Sequence, residues 1–217
     1  MVSESKVSLP LTQLQVDPKR GLVYGLVGEC NDEWTLIRSN FGAYDYRNRR
    51  IEKVWKVNPD TSGRGYYLIA YHLNAERRLL YAAARTPRGY RLVCYDLDRE
   101  EVVFEFPIPL GRLPRLTPDG KELWIPNYYD ENITIYDAED GEFLDVISLS
   151  DYRPLGTHGA TPLMIRFLPS GDKAYVTCGS DTPGPLLVID VQKREVTKAF
   201  FVDELRYPVF LDVGPAP

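Results

Sequence analysis

The sequence predicts an all-β fold made of repeated four-stranded units, and three observations support this. A unit of four short strand-like runs separated by turn residues recurs along the chain. An aromatic residue follows the first turn of each copy, at Tyr24, Tyr81, Trp124 and Tyr175. Equivalent residues of successive copies are about 41 to 57 residues apart. This period is typical of a four-stranded blade with variable loops, so the sequence predicts a small β-propeller.

Four copies of the unit are recognisable, and the third is the clearest. Its first turn is Pro118-Asp119-Gly120, in which proline presets φ and glycine accepts a positive φ. The predicted blades span residues 13–57, 66–107, 113–148 and 162–202. The third run of each copy ends on an aspartate: Asp45, Asp96, Asp137 and Asp190. An aspartate at a strand end before a turn accepts hydrogen bonds from nearby backbone N–H groups, so we interpret these residues as caps rather than metal ligands.

The turns and strands of the last two copies resemble the YVTN family of β-propeller repeats. Pro118-Asp119-Gly120 with Trp124-Ile125-Pro126-Asn127 carries the family signature, as does Pro169-Ser170-Gly171 with Tyr175-Val176-Thr177 and Val188-Ile189-Asp190. The resemblance covers nearly the whole chain and implies the propeller fold. Its functional implication is broad, because the superfamily includes lactonases, amine dehydrogenase subunits, surface proteins and binding scaffolds. The first two copies are degenerate, and family propellers usually have more blades than this length allows.

The closure of the ring has two interpretations. Residues 5–10 and 208–214 have the character of strands and would together form a partial closing blade, which makes a ring of about five blades. Alternatively, four blades form an open arc that a second copy completes in a homodimer, since unpaired sheet edges are a liability. In both interpretations residues 1–217 form a single domain.

The composition excludes several classes of partner and location. The net charge of −5 argues against binding to a nucleic-acid backbone, and no apolar run is long enough for a signal peptide or a membrane span. The three cysteines are scattered, which favours a reducing compartment and predicts a cytoplasmic protein. Cys178, near the predicted rim, is the sole candidate for a nucleophilic thiol. A basic cluster at Arg47, Arg49, Arg50 and Lys53 is interpreted as a solvated pair of strands.

One polar column appears when the copies are aligned three residues before the first turn. It contains Gln15, His72, Arg115, Arg166 and, in the partial last copy, Asp212. The innermost strands of a propeller line its channel, so two arginines and a histidine there would attract an anionic ligand, which arginine binds in bidentate fashion. The alternative is that Arg115 and Arg166 pair with Asp212 and backbone carbonyls, because buried charges must be paired.

The candidates for acid–base chemistry lie on one predicted rim. His158 stands in Gly156-Thr157-His158-Gly159, where flanking glycines leave it accessible, although an ordinary polar role is also open. His72 is the other histidine, Tyr128 is a second proton donor, and Asp130 is expected on the same rim. Two histidines exclude a three-histidine metal site. A carboxylate-rich site for Ca²⁺ or Zn²⁺ could recruit Asp130, Asp181 or Asp212, but no ligand spacing is diagnostic. No dinucleotide, phosphate-loop or haem motif appears, so no cofactor is predicted.

Two functional hypotheses follow from different classes. The first is a small-molecule-binding propeller, either a binder or an enzyme without redox cofactor of the hydrolase (lactonase), isomerase, cyclase or lyase type, acting on a polar or anionic organic ligand at the central channel. The second is a non-catalytic scaffold that binds a protein partner through the rim or through Trp34 and Phe41. These two residues belong to an interruption at residues 28–43, which is either a loop over the propeller or a long hairpin with its own packing.

Overall fold

Four antiparallel sheets make up the described part of the chain. The computed structural model describes residues 14–30, 36–57, 67–86, 88–109, 113–152, 160–179 and 183–201. The first sheet contains β1 (Gln15–Asp17), β2 (Leu22–Cys30), β3 (Leu36–Asp45) and β4 (Arg50–Trp55). The second contains β5 (Tyr67–Asn74), β6 (Leu79–Thr86), β7 (Gly89–Asp96) and β8 (Glu101–Pro107). The third contains β9 (Arg115–Leu116), β10 (Glu122–Asn127), β11 (Asn132–Asp137) and β12 (Phe143–Ser148). The fourth contains β13 (Pro162–Phe167), β14 (Lys173–Gly179), β15 (Pro183–Asp190) and β16 (Glu195–Phe201).

Each sheet is a meander, because its four strands are hydrogen-bonded in chain order. The sheets coincide with the four predicted repeats, so the prediction of an all-β fold of four-stranded units is confirmed. A short 3-10 helix, Ser150–Tyr152, follows the third sheet. Among the described residues, no helix has the length and apolarity needed to cross a membrane.

The aspartates that end the third strands act as caps, as the sequence predicts. The carboxylate of Asp45 accepts hydrogen bonds from the backbone N–H groups of Arg47 and Asn48, both at 2.9 Å. The same pair of bonds recurs at Asp96 and Asp137, and Asp190 accepts one bond, from the backbone N–H of Lys193. These bonds satisfy turn N–H groups that the sheet itself leaves without a partner.

The turn after each aspartate needs one residue with a positive φ. That residue is the fourth after the aspartate in every sheet, and the four are Arg49 (φ 54°), Glu100 (φ 58°), Gly141 (φ 79°) and Arg194 (φ 57°). A left-handed residue closes the tight connection between the third and fourth strands. Because only one of the four is glycine, the turn is fixed by the aspartate caps and by the flanking strands as well as by glycine's freedom.

The described residues belong to two compact units, which we describe separately. The first unit comprises Met1–Gly89 and Val93–Val103, and the second comprises Tyr90–Leu92 and Phe104–Pro217. In the first unit, an aromatic core lies between the first and second sheets, where Phe41 stacks on Tyr24 and meets the edge of Tyr71. In the second unit, Trp124 and aliphatic side chains of the third and fourth sheets form an equivalent core.

The interruption at residues 28–43 is a hairpin, the second of the two interpretations given above. β2 and β3 pair from Leu22–Asp45 to Cys30–Leu36, which brings Phe41 onto a strand. Phe41 is fully buried, so a role for this side chain in holding a partner is wrong. Trp34 lies outside the described residues.

Candidate interaction surface

The polar column predicted from the sequence occupies one structural position in all four sheets. Each of its described members lies on a first strand, directly opposite the aromatic residue that recurs on the second strand of each sheet. The pairs are Gln15–Tyr24, His72–Tyr81, Arg115–Trp124 and Arg166–Tyr175. All four polar side chains are half-buried. The alignment of the repeats therefore assigned equivalent positions correctly.

Gln15 links two sheets of the first unit. Its amide nitrogen donates to the carbonyl of Leu73 at 2.7 Å, and its amide oxygen accepts from the backbone N–H of Leu73 at 3.1 Å. This pair of bonds joins β1 to β5 across 58 residues of sequence. The side chain thus supplies the two hydrogen bonds that a neighbouring strand would otherwise supply.

The other predicted site residues fall into two groups. Tyr128 and Tyr129 lie in the turn between β10 and β11, with their rings edge to face and the centroids 5.0 Å apart. Asp130, in the same turn, is exposed. His158 and Asp212 lie outside the described residues, as do Asp181, a possible carboxylate ligand of a metal, and residues 5–10 and 208–214. The clustering of the predicted acid–base residues therefore stays a prediction.

Cys178 is not placed to act as a nucleophile. It lies on β14 in the apolar core of the second unit and is fully buried. Burial raises the pKa of its thiol, which keeps the sulfur protonated at neutral pH. The prediction that Cys178 is a candidate nucleophile is therefore wrong.

The first sheet carries an apolar row that crosses all four strands. Val16 pairs with Val23, Val23 with Tyr44, and Tyr44 with Ile51. Val16 is 58% exposed, Tyr44 40% and Ile51 52%. With the flanking Leu14 and Val54, which are also exposed, this row forms what we call the open face. It is the face of the first sheet opposite the aromatic core.

The equivalent rows of the second and fourth sheets are packed, whereas in the third sheet Leu116 and Leu123 are buried but Phe143 is 60% exposed. In the second sheet the row is Leu73, Leu80, Tyr95 and Val102, and all four lie in or against the core of the first unit. In the fourth sheet it is Phe167, Ala174, Ile189 and Val196, all in or against the core of the second unit. Val16 is 58% exposed where its equivalent Leu73 is 1% exposed. The open face thus has the composition of a packing surface and lacks a sheet packed on it among the described residues.

A recurring contact joins successive sheets at their outer strands. We call the eighth residue after the capping aspartate the outer-strand position and the fourth residue the turn position. In the first unit, Lys53 at the outer-strand position forms an ion pair with Glu100 at the turn position of the next sheet. In the second unit, Asp145 at the outer-strand position binds Arg194 at the turn position of the next sheet, at 2.9 Å.

Arg194 is the better anchored of these charges. Its guanidinium also binds Glu122 at 2.7 Å, and both residues line a cleft of about 780 Å³ between the third and fourth sheets. The hydrogen bond from Arg194, together with one from the backbone N–H of Val146, holds the pKa of Asp145 below its usual value. The two carboxylates in turn raise the pKa of Arg194. Arg194 thereby links the third and fourth sheets through charge-assisted hydrogen bonds to two carboxylates.

The third contact of this kind is apolar. Phe104 occupies the outer-strand position of the second sheet, and Gly141 the turn position of the third. A Cβ atom on Gly141 would lie 2.8 Å from Phe104 and 2.9 Å from Phe106, so the absence of a side chain allows the two rings to pack there. The outer-strand and turn positions thus contact each other in each of these cases, although the residue types that make the contact differ from sheet to sheet.

Sequence reasoning missed the open face and the recurring contact. Leu14, Val16 and Val23 show that the first repeat has an apolar face. The sequence pattern of such a face is the same whether another sheet packs on it or it is exposed to solvent. The contact had no common residue type to reveal it, because an ion pair, a Phe–Gly contact and a reversed ion pair occupy the same position.

Comparison with known proteins identifies the fold. No family model matches the chain, and no curated protein matches it. A solved structure of hydrazine synthase from Kuenenia stuttgartiensis is similar, with a TM-score of 0.64 and 14% identity, over 94% of this chain and 53% of that chain. The β-propeller domain of Cps50 (Swd1) from Myceliophteria thermophila is also similar, with a TM-score of 0.64 and 14% identity, over 88% of this chain and 55% of that chain.

These similarities establish the fold and nothing finer. The chain is a β-propeller with four described four-stranded blades, as its sequence predicts. It spans about half the length of the structures it matches. The YVTN repeat name, the mode of ring closure and the dimer stay predictions.

Proposed function

We propose that the protein is a propeller-type interaction module that binds a protein partner through the open face of its first sheet. The observation that carries the proposal is the row Val16–Val23–Tyr44–Ile51. Val16, Tyr44 and Ile51 are exposed and Val23 is half-buried, although the equivalent rows of the second and fourth sheets are packed. Contiguous exposed apolar surface of this kind marks interaction sites in soluble proteins. The similarity to a β-propeller domain agrees with this use of the fold without assigning a partner.

Replacing Val16 by glutamate should weaken partner binding at least about tenfold, because a carboxylate would lose its hydration in the apolar interface. The measurement is affinity capture from an extract of the source cells, with cross-linked partners quantified by mass spectrometry. The matched control is Val103→Glu, since Val103 is 45% exposed on β8, away from the open face. Both variants should keep the wild-type circular dichroism spectrum.

The proposal fails if Val16→Glu and Val103→Glu capture the same proteins in the same amounts as the wild type. Loss of capture in both variants would instead show a general effect of added negative charge. Only selective loss at Val16 supports the open face as the binding site.

A second proposal is that the protein binds an anionic ligand in its channel, and one specific observation supports it. Arg115 and Arg166 occupy equivalent positions on first strands of the second unit, each opposite a large aromatic residue. Two half-buried guanidinium groups in register suit a small anion with carboxylate or phosphate groups. The enzyme classes named above, and the acid–base roles of His72, His158 and Tyr128, stay predictions attached to this second proposal.

The channel proposal is tested with citrate and inorganic phosphate as probes. Arg115→Ala and Arg166→Ala should each weaken binding about tenfold or more in isothermal titration calorimetry, since each removes a charge-assisted pair of hydrogen bonds. Lys173→Ala, an exposed cation on β14, is the control and should leave binding unchanged. Absence of citrate and phosphate binding to the wild type at millimolar concentration would contradict the proposal.

A further inference from the structure

The contact between successive sheets follows a positional rule. In each described case, the outer-strand position of one sheet meets the turn position of the next: Lys53 with Glu100, Phe104 with Gly141, and Asp145 with Arg194. The outer-strand positions are equivalent by register as well as by count, since Lys53 pairs with Ala43 and Asp145 with Ile135. Both registers shift at the same place, immediately before the residue that precedes the capping aspartate.

The rule can be applied to the first and the fourth sheet, which are the end sheets in chain order. At the first sheet the turn position is Arg49, which is exposed and lies on a turn bordering β4. At the fourth sheet the outer-strand position is Lys198, which pairs with Val188 in the same register and is also exposed. Phe200, two residues further on, is 47% exposed where its equivalent Trp55 is 2% exposed. The first and the fourth sheet thus each carry exposed apolar side chains and an exposed cation at the position that the rule specifies.

We propose that the open face docks a β-sheet of another protein chain, and that this sheet places an acidic side chain against Arg49. The proposal rests on the proposed function and specifies its partner. In the two contacts that involve charged residues, the two charges are opposite. In one of them, Asp145 at the outer-strand position binds an arginine at the turn position. An incoming sheet that obeys the rule therefore carries aspartate or glutamate there.

A second copy of this chain is a poor occupant. If the fourth sheet of one copy packed on the first sheet of another by the same rule, Lys198 of one copy would face Arg49 of the other. Like charges that face each other at an interface oppose association and cost affinity. The cations at the two ends therefore act against self-association and select an acidic partner.

The protein itself supplies a probe for the acidic sheet. In the double variant Arg49→Glu/Lys198→Glu both end positions carry acids, so each end of this variant complements an end of the wild type. Glutamate suits position 49, because Glu100 occupies the equivalent position of the second sheet with φ 58°. The measurement is sedimentation velocity on fluorescently labelled wild type, alone and mixed with the unlabelled double variant at low ionic strength.

The expected result is association in the mixture, about tenfold stronger than that of either protein alone, and its loss at high salt. Each single variant, Arg49→Glu or Lys198→Glu, should associate with itself, because it has one cationic and one acidic end. The matched control is Arg88→Glu/Lys193→Glu, which changes the net charge equally at two other exposed positions and should not associate with the wild type.

Three results would overturn the proposal: no association in the mixture, equal association with the control variant, or self-association of the wild type through this face. The last result would make a second copy the occupant. The outcome is separable from that of the proposed function. If Val16→Glu loses its natural partner while the mixture stays dissociated, the open face binds protein but the assigned chemistry of the partner is wrong. If capture is unaffected by Val16→Glu, the binding role itself fails.

Discussion

Replacing Trp124 by alanine should lower the free energy of unfolding by about 3–5 kcal/mol. The indole is fully buried, packs edge to face on Phe167 with the ring centroids 5.2 Å apart, and donates a hydrogen bond to Glu122 at 2.9 Å. Alanine would leave a large cavity between the third and fourth sheets, which the surrounding strands cannot fill without losing their register. Chemical denaturation followed by circular dichroism measures the change.

The control for this substitution is Tyr129→Ala. Tyr129 is an aromatic residue of the same unit but is 72% exposed, so its removal should change the free energy of unfolding by less than about 0.5 kcal/mol. If Trp124→Ala cost less than about 1 kcal/mol, the core described for the second unit would be wrong.

Replacing Gly141 by valine should destabilise the protein by about 3 kcal/mol, for two reasons that add. The residue has φ 79°, which a β-branched residue adopts only with strain. Its new side chain would also meet the rings of Phe104 and Phe106 at less than van der Waals distance. Thermal unfolding should show a correspondingly lower midpoint.

The equivalent turn of the first sheet provides the comparison. Arg49 has φ 54° and is exposed, so Arg49→Gly relieves backbone strain while adding freedom to the unfolded chain, and its net effect should lie within about 1 kcal/mol of zero. Equal destabilisation by Gly141→Val and by Arg49→Val would show that φ alone decides the cost. We expect Gly141→Val to cost more, because packing on Phe104 and Phe106 contributes.

The sequence predicted the repeating elements well because local chemistry determines them. The capping aspartates, such as Asp45, accept hydrogen bonds from the backbone of their own turns. The residues that determine each turn are therefore close together in the sequence. The polar column was also assigned correctly, because Arg115 and Arg166 stand at a fixed distance before a turn that the sequence marks with proline.

The surfaces between sheets were not predictable in the same way. Tyr44 and Tyr95 occupy equivalent positions and are of the same residue type, yet one is 40% exposed and the other 6%. Exposure depends on what packs against a face, and that information is not in the residues of the face itself. Lys53 and Asp145 show the same limit, since a shared contact is carried there by opposite charges.

The meander order of the strands has a consequence for biosynthesis. Each sheet is continuous in sequence, so all of its hydrogen-bonding partners leave the ribosome within one stretch of chain. Such a sheet can form all the hydrogen bonds between its strands before the next stretch is translated. Only the packing of one sheet on another requires residues that are translated later. During synthesis the trailing side of each newly formed sheet is bare until the next one arrives. A nascent chain therefore passes through a series of transient apolar surfaces, which are the points where chaperones would engage it.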